Sequence, residues 1–293
     1  MARKKLILSP TYTELITPVF EALRSLGNSG SNDEIRDAII QSLHLTDEVV
    51  DEPHKGSASQ RTELEYQLAW ARTYLKKYGA ITNSSRGIWL ITPEFADTTN
   101  VDGKAVIRSV TARKATSIDG QGPVDLSDDN PENDGIDVPE ELDPWRNELA
   151  NTLHNMNPYA FERLAKLLLR ECGFSQVDVT KKSADGGIDG TGKLRINGIF
   201  SFNVAFQCKR YAGNVSAGDI RDFRGSLTTD IEKGVLITTG TFTKAAREEA
   251  SNAGKQQIDL IDGEEFISKL IEYGIGVKEK KIYEIDRGFF EKV

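Results

Sequence analysis

Residues 200–210, FSFNVAFQCKR, have the residue types of a strand whose alternate side chains point to opposite faces. Phe202, Val204, Phe206 and Cys208 then share a core side, while Asn203, Ala205, Gln207 and Lys209 share the other, which ends in Gln207 and Lys209 side by side. Upstream, SADGGIDG at 183–190 sets two carboxylates, Asp185 and Asp189, around a glycine turn where a bulkier chain could not bend. A carboxylate beside a lysine in a polar cleft suits phosphodiester hydrolysis. Magnesium takes oxygen ligands and keeps several waters, so one or two protein carboxylates plus a substrate phosphate suffice to hold it. Asp189 is expected to bind that ion, with the amide oxygen of Gln207 and the backbone carbonyl of Cys208 as further ligands. Glu162, earlier in the chain, would add a second carboxylate or hold a metal-bound water. Lys209 would orient the attacking water or offset the charge growing on the phosphate.

These residues need a scaffold, and the pattern from 151 onward alternates helices and strands, the signal of an α/β domain. A helix is expected at 158–172 (PYAFERLAKLLLREC), burying Phe161, Leu164, Leu168 and Cys172. Strands follow at 176–182, about 189–196 and 200–208, then a helix at 216–228, a strand at 234–239, a helix at 243–253, a strand at 258–262 and a closing helix at 264–273. The order is αβββαβ with a further αβα tail. Thr238 to Thr243 would cap the helix at 243, or touch a phosphate through backbone N–H groups.

Ahead of this lies an α-rich region. Residues 11–26, 31–43 and 61–78 carry apolar side chains at three- and four-residue spacing, which predicts three helices starting near Thr11 or Thr13, Ser31 or Asn32, and Ser59. AITNSSRGIWLITP then reads as a hairpin with its turn at 83–87. Three helices and a hairpin make a winged helix-turn-helix, whose third helix enters the major groove while the hairpin tip touches backbone or minor groove. On that helix Leu64, Leu68, Ala71 and Leu75 form the inward stripe. Ser59, Gln60 and Arg61 are the expected base-edge readers, Arg72 and Lys76 lie on the outer face, and Arg86 at the wing tip is a phosphate or minor-groove contact. Winged helices also serve as protein–protein modules, and Arg or Lys on a helix is usually a solvated face.

The two regions are joined by an acidic stretch. Residues 119–148 hold eleven Asp/Glu against one Arg, a net of −10, so of the total −8 the rest of the chain carries +2. Net acidity therefore excludes no nucleic-acid partner. The Gly, Pro, Asp and Asn content of this stretch is that of a solvated linker, with a DNA-mimicking segment as the alternative reading. The expected domains are 1–96, a linker at 97–150, and 151–293. Cys172 and Cys208 stand apart from each other and from His44, His54 and His154, so neither a disulfide framework nor a Cys/His zinc site can be assembled from local spacing. No apolar run approaches the roughly 18 residues that span a membrane, and the first residues do not read as a signal peptide, so a cytoplasmic location is expected. No P-loop G-x-x-x-x-G-K-S/T occurs, which argues against an NTP-driven enzyme.

GFSQVDVTKKSADGGIDG, FQCKR, GVLITTGTFTKAAREEA and LIDG together resemble the Mrr-type restriction endonuclease domain, a branch of the PD-(D/E)XK nucleases, over residues 151–273. YTELITPVFEAL through RGIWLITPEF is similar to the winged-helix domain found ahead of that nuclease. The resemblance implies a modification-dependent restriction enzyme that cleaves methylated double-stranded DNA with magnesium, manganese being the alternative ion. Asp189 matches the motif aspartate, Lys209 the motif lysine, and Gln207 the position held by Glu in most of the superfamily, where the Mrr branch commonly has Gln. A neutral amide is a weaker ligand for a hard cation, which favours a one-metal site or completion by Glu162. The competing readings are a nuclease of the same fold acting on branched or damaged DNA, and a catalytically silent DNA-binding protein. Cutting both strands needs two sites, so a homodimer or higher oligomer is expected.

Overall fold

The computed structural model describes residues 9–54, 61–85, 87–115, 138–139, 142–179, 187–197, 199–211 and 213–280. In the N-terminal domain, α1 (Tyr12–Ser25), α2 (Asn32–Ser42), α3 (Asp47–Val50) and α4 (Glu63–Tyr78) pack with a three-stranded antiparallel sheet. The sheet order is β1 (Ser29–Ser31), β3 (Ile88–Ile91), β2 (Ile81–Ser85). Local chemistry sets the helix starts. Ser31 accepts from the Glu34 N–H at 3.2 Å while Glu34 reaches back to the Ser31 N–H at 2.8 Å. Thr62 and Glu65 repeat this capping box at the head of α4, at 3.2 and 3.0 Å. The expected third helix therefore starts behind Thr62; Ser59 lies outside the described residues. Gly79, at φ +95°, closes α4 in the left-handed conformation that glycine adopts readily.

Residues 97–150, expected to be linker, contain one helix and the start of a second. Helix α5 (Gly103–Ala115) lays Val106, Ile107 and Val110 into the same core as Leu15, Phe20, Trp70 and Tyr74. Helix α6 (Pro144–Asn155) buries Ala150 and Leu153 in the core of the second domain. The most acidic part of the stretch, 116–137, lies outside the described residues.

The C-terminal domain is a five-stranded mixed sheet in the order β10 (Ile258–Ile261), β8 (Lys233–Thr238), β6 (Phe200–Lys209), β5 (Gly190–Ile196), β4 (Phe174–Val179). Strands β4, β5 and β6 run antiparallel as a meander, and β6, β8 and β10 run parallel. The parallel pairs need crossovers, supplied by α8 (Ala217–Ser226) between β6 and β8 and α9 (Lys244–Ala250) between β8 and β10. A two-stranded pair, β7 (Asn214–Val215) with β9 (Thr241–Phe242), ties the entrance of one crossover to the other.

Strand alternation divides the side chains between two cores, as expected for β6. Val204 and Phe206 join Val235, Ile237, Phe161 and Leu168 under α7 (Pro158–Glu171) and α10 (Gly263–Glu272). Leu236, from the opposite face of β8, joins Ile220, Phe223 and Ala246 under α8 and α9. Each large apolar side chain buried in this way contributes about 1.5–3 kcal/mol. The expected αβββαβ order with its αβα tail is observed from α7 to α10.

Candidate active site

The chain reverses at Gly187 to Asp189, and β5 then runs back along β6 with Gly190 opposite Phe206. The Asp189 N–H donates to the Phe206 carbonyl at 3.0 Å, and its Oδ2 accepts the Cys208 N–H at 2.6 Å. Asp189 is thus locked to the end of β6 at both backbone and side chain. Burial raises its carboxyl; the Cys208 N–H opposes this, Glu162 on α7 adds to it, Lys209 lowers it, and the balance stands at about 6. The carboxylate is therefore held partly protonated near neutrality, a condition that a nearby cation would relieve.

The expected glycine turn has a specific reason. Gly187 has φ +96°, a conformation that glycine adopts readily, and a Cβ there would stand 2.4 Å from Gln207 Nε2, so a side chain at this position would have to displace the Gln207 amide. The other end of that amide, Gln207 Oε1, is buried and accepts no hydrogen bond among the described residues. Leaving a buried acceptor unsatisfied costs about 1–3 kcal/mol, and such an oxygen is a donor fit for a hard cation. No cluster of three His, Cys, Asp or Glu capable of holding a metal occurs among the described residues. The donors that fit a magnesium or manganese ion here are accordingly the Asp189 carboxylate and the Gln207 amide oxygen. Glu162 stands near enough to act on Asp189 electrostatically. The Cys208 N–H is bound to Asp189; the thiol side is half-buried against the core under α7, where burial pushes its pKa well up, and it forms no disulfide.

Lys209 leaves the same face of β6. Thr238 Oγ1 donates to its carbonyl at 2.8 Å, and its Nζ donates to Asp219 Oδ1 at 2.6 Å and to Tyr211 Oη at 3.3 Å. Burial would lower its pKa, but these two partners outweigh that and raise it, so Lys209 is a cation. Asp219, on α8, and Tyr211 were not among the residues expected to matter; the signal available for Asp219 was the S-x-x-D capping box at 216–219. Thr243 caps α9 through the Ala246 N–H at 3.1 Å, the first of the two roles considered for it. In the LIDG segment, Asp262 caps α10 through the N–H groups of Glu264 and Glu265, and a Cβ on Gly263 would stand 2.4 Å from the Thr239 carbonyl.

The residues expected to read DNA are placed differently from one another. Lys76 is exposed on α4. Arg61 and Arg72 are only 6% and 3% exposed, although both were expected on an outer face. Arg61 is covered by the second domain, whereas Arg72 is turned onto a ring of its own domain. Arg61 Nη2 meets Glu264 Oε2 of α10 at 2.7 Å, Arg146 Nη2 of α6 meets the same oxygen at 3.2 Å, and the Arg72 guanidinium lies 5.6 Å from the centre of the Trp89 ring. Arg61, Arg72, Asp262 and Gly240 share a cleft of about 320 Å³ between the domains. A second set of contacts joins α3 to α9: the Lys244 N–H donates to Asp51 at 3.0 Å and its Nζ to Asp47 at 2.7 Å. Gln60, Arg86 and Asp185 lie outside the described residues.

No described helix is long and apolar enough to cross a membrane. No curated protein matches the chain. Among solved structures it is similar to the DNA modification-dependent restriction endonuclease AspBHI, at 20% identity and a TM-score of 0.40 over 66% of this chain and 55% of that one. It is also similar to the MspJI restriction endonuclease in complex with a 27-mer oligonucleotide, at 20% identity and a TM-score of 0.37 over 57% of this chain and 40% of that one. The match thus spans only about half the length of those chains. Two family models match: a restriction endonuclease model, Mrr_cat, over residues 153–270, and the Mrr N-terminal domain over residues 12–100. They cover the two domains in the expected order, and the chain belongs to the Mrr-type restriction endonuclease family.

Proposed function

We propose that the chain is a metal-dependent endodeoxyribonuclease of a restriction system that hydrolyses phosphodiester bonds in methylated double-stranded DNA. The observation that carries this reading is the buried, unsatisfied Gln207 Oε1 on the strand whose Cys208 N–H holds Asp189, with Lys209 two residues along the same strand face. Asp189 and the Gln207 amide would hold a magnesium or manganese ion, with Glu162 and the Cys208 carbonyl as the remaining candidate ligands. Such an ion, when bound, lowers the pKa of a coordinated water and stabilises charge on the attacked phosphate. Lys209, kept cationic, offsets the negative charge that develops on the phosphate oxygens.

The N-terminal domain is read as a winged helix-turn-helix that binds duplex DNA through α4 and the β2–β3 hairpin, a reading supported by the order α1, α2, the one-turn α3 and α4, followed by that hairpin. Of its candidate contacts Lys76 is directly accessible, while Arg61 is held by Glu264 of the second domain and Arg72 lies against Trp89 of its own. Restriction of modified DNA is the activity that the family resemblance implies. Cutting both strands requires two such sites, so the active species is at least a dimer.

The test is cleavage of one plasmid in matched methylated and unmethylated forms, with magnesium or EDTA, by the native chain and by Lys209→Ala. Magnesium-dependent cutting confined to methylated DNA and lost in Lys209→Ala is the expected result. Cutting regardless of methylation would remove the modification dependence; binding of DNA without cutting of any form would overturn the nuclease assignment.

A further inference from the structure

The cationic end of the site is built by a helix outside the Asp189–Gln207–Lys209 motif. Asp219 occupies the third position of α8, and its two oxygens are divided between two tasks. Oδ2 accepts the Ser216 N–H at 2.9 Å and the Ser216 hydroxyl at 2.7 Å, which fixes the carboxylate to the first turn. Oδ1 faces β6 and accepts Lys209 Nζ at 2.6 Å, with Tyr211 Oη 3.4 Å from the same oxygen and 3.3 Å from Nζ. The Tyr211 ring also lies 5.2 Å from Nζ. Lys209 and Asp219 side chains are 15% and 21% exposed, so the pair is largely withdrawn from solvent competition.

A lysine side chain has a long, flexible stem, and its ammonium is useful to a reaction only where it is held. The strand fixes the Lys209 backbone through Thr238; nothing on β6 itself fixes the ammonium. We propose that Asp219, anchored by the α8 capping box and assisted by Tyr211, is the positioning residue that holds Lys209 for phosphodiester hydrolysis. The inference rests on the nuclease reading above and deepens it: the crossover helix following β6 carries part of the active-site machinery, and a local capping motif doubles as the anchor of the catalytic cation.

The experiment has two arms on the full chain. In the first, DNA-free protein is acetylated briefly with an amine-reactive ester and Lys209 modification is quantified by peptide mass spectrometry, with exposed Lys76 as internal reference. Asp219→Asn is expected to accelerate labelling of Lys209 roughly tenfold relative to Lys76, and Asp219→Glu by less. In the second arm, magnesium-dependent cleavage is measured. Asp219→Asn is expected to lower kcat by roughly 10- to 100-fold with KM little changed. Asp219→Glu should recover part of this, and Asp219→Asn/Lys209→Ala should be no slower than Lys209→Ala alone. Thr243→Ala, which removes the cap of α9, controls for a loss of stability alone and should leave kcat unchanged.

Unchanged Lys209 labelling in Asp219→Asn would overturn the pairing. Faster labelling with unchanged kcat, or full additivity in the double variant, would overturn the positioning role. A native chain that cuts no DNA, while Asp219→Asn still releases Lys209 to the reagent, would overturn the nuclease reading and leave the pair a structural contact.

Discussion

Arg61 at the head of α4 and Glu264 on the first turn of α10 meet at 2.7 Å, joining the two domains through a carboxylate that Arg146 shares at 3.2 Å. Arg61 and Arg146 are 6% and 2% exposed, so both guanidinium groups depend on partners within the protein. Removing one member of a buried ion pair costs about 3–5 kcal/mol when the other stays buried. Glu264→Ala is therefore expected to increase the radius of gyration in small-angle scattering and the protease sensitivity between the domains, with each domain retaining its helical signal. An unchanged radius and melting curve would show that this pair does not hold the interface.

Asp189 makes a second case, in which the site costs the fold. Its folded-state pKa of about 6 lies above the ordinary 3.8, chiefly because of burial, so its ionised form destabilises the folded chain as pH rises through that interval. Asp189→Asn keeps an oxygen that can accept the Cys208 N–H and removes the charge. In EDTA at pH 8 it is expected to raise the melting temperature, by an amount on the order of 1–2 kcal/mol in stability, while cleavage is lost. At pH 4 the gain should vanish. A lower melting temperature at pH 8 would contradict this account.

Asp219 has the opposite sign. Burial alone would raise its pKa, but hydrogen bonds from Lys209 and Ser216 outweigh that and hold it at about 2, below the ordinary 3.8. Its stabilisation is thus full above pH 4 and is lost as pH falls through 2. Melting of the native chain and Asp219→Asn should differ by about 1–2 kcal/mol at pH 7, and the difference should shrink steadily toward pH 2.5. A gap that stays constant across that range would remove ion pairing as its cause.

Gly187 is the tightest point of the site. Alanine there would have to adopt φ +96° and place its Cβ 2.4 Å from Gln207 Nε2. The expected cost is about 1–3 kcal/mol in stability, together with loss of the rise in melting temperature that magnesium gives the native chain. Retention of the full magnesium-induced rise in Gly187→Ala would show that Gln207 does not serve as a ligand.

The parts of this protein legible in its sequence are those set by neighbours along the chain. Alternation in β6 assigns Val204 and Phe206 to the core and Gln207 and Lys209 to the site, because a strand's pleat is a local property. Helices α1, α2 and α4 announce themselves by apolar spacing and by capping residues three positions from a glutamate. The Gly-Gly-Ile-Asp turn and its aspartate are equally local. Strand β1 was not legible, since Ser29–Gly30–Ser31 has no apolar alternation and pairs only because β3 offers an edge. Helix α5 was hidden because its few apolar residues, Val106, Ile107 and Val110, are interleaved with Lys, Arg, Ser and Thr and leave only a weak amphipathic pattern.

What tertiary structure decided is which of the legible residues meet. Asp219 reaches Lys209 only because the crossover after β6 brings the start of α8 back beside the strand's end. Arg61 has the place of a solvated helix end, yet it is covered by α10, an element some two hundred residues later. Helical periodicity records that a face exists; only the packing of the second domain determines what lies against it.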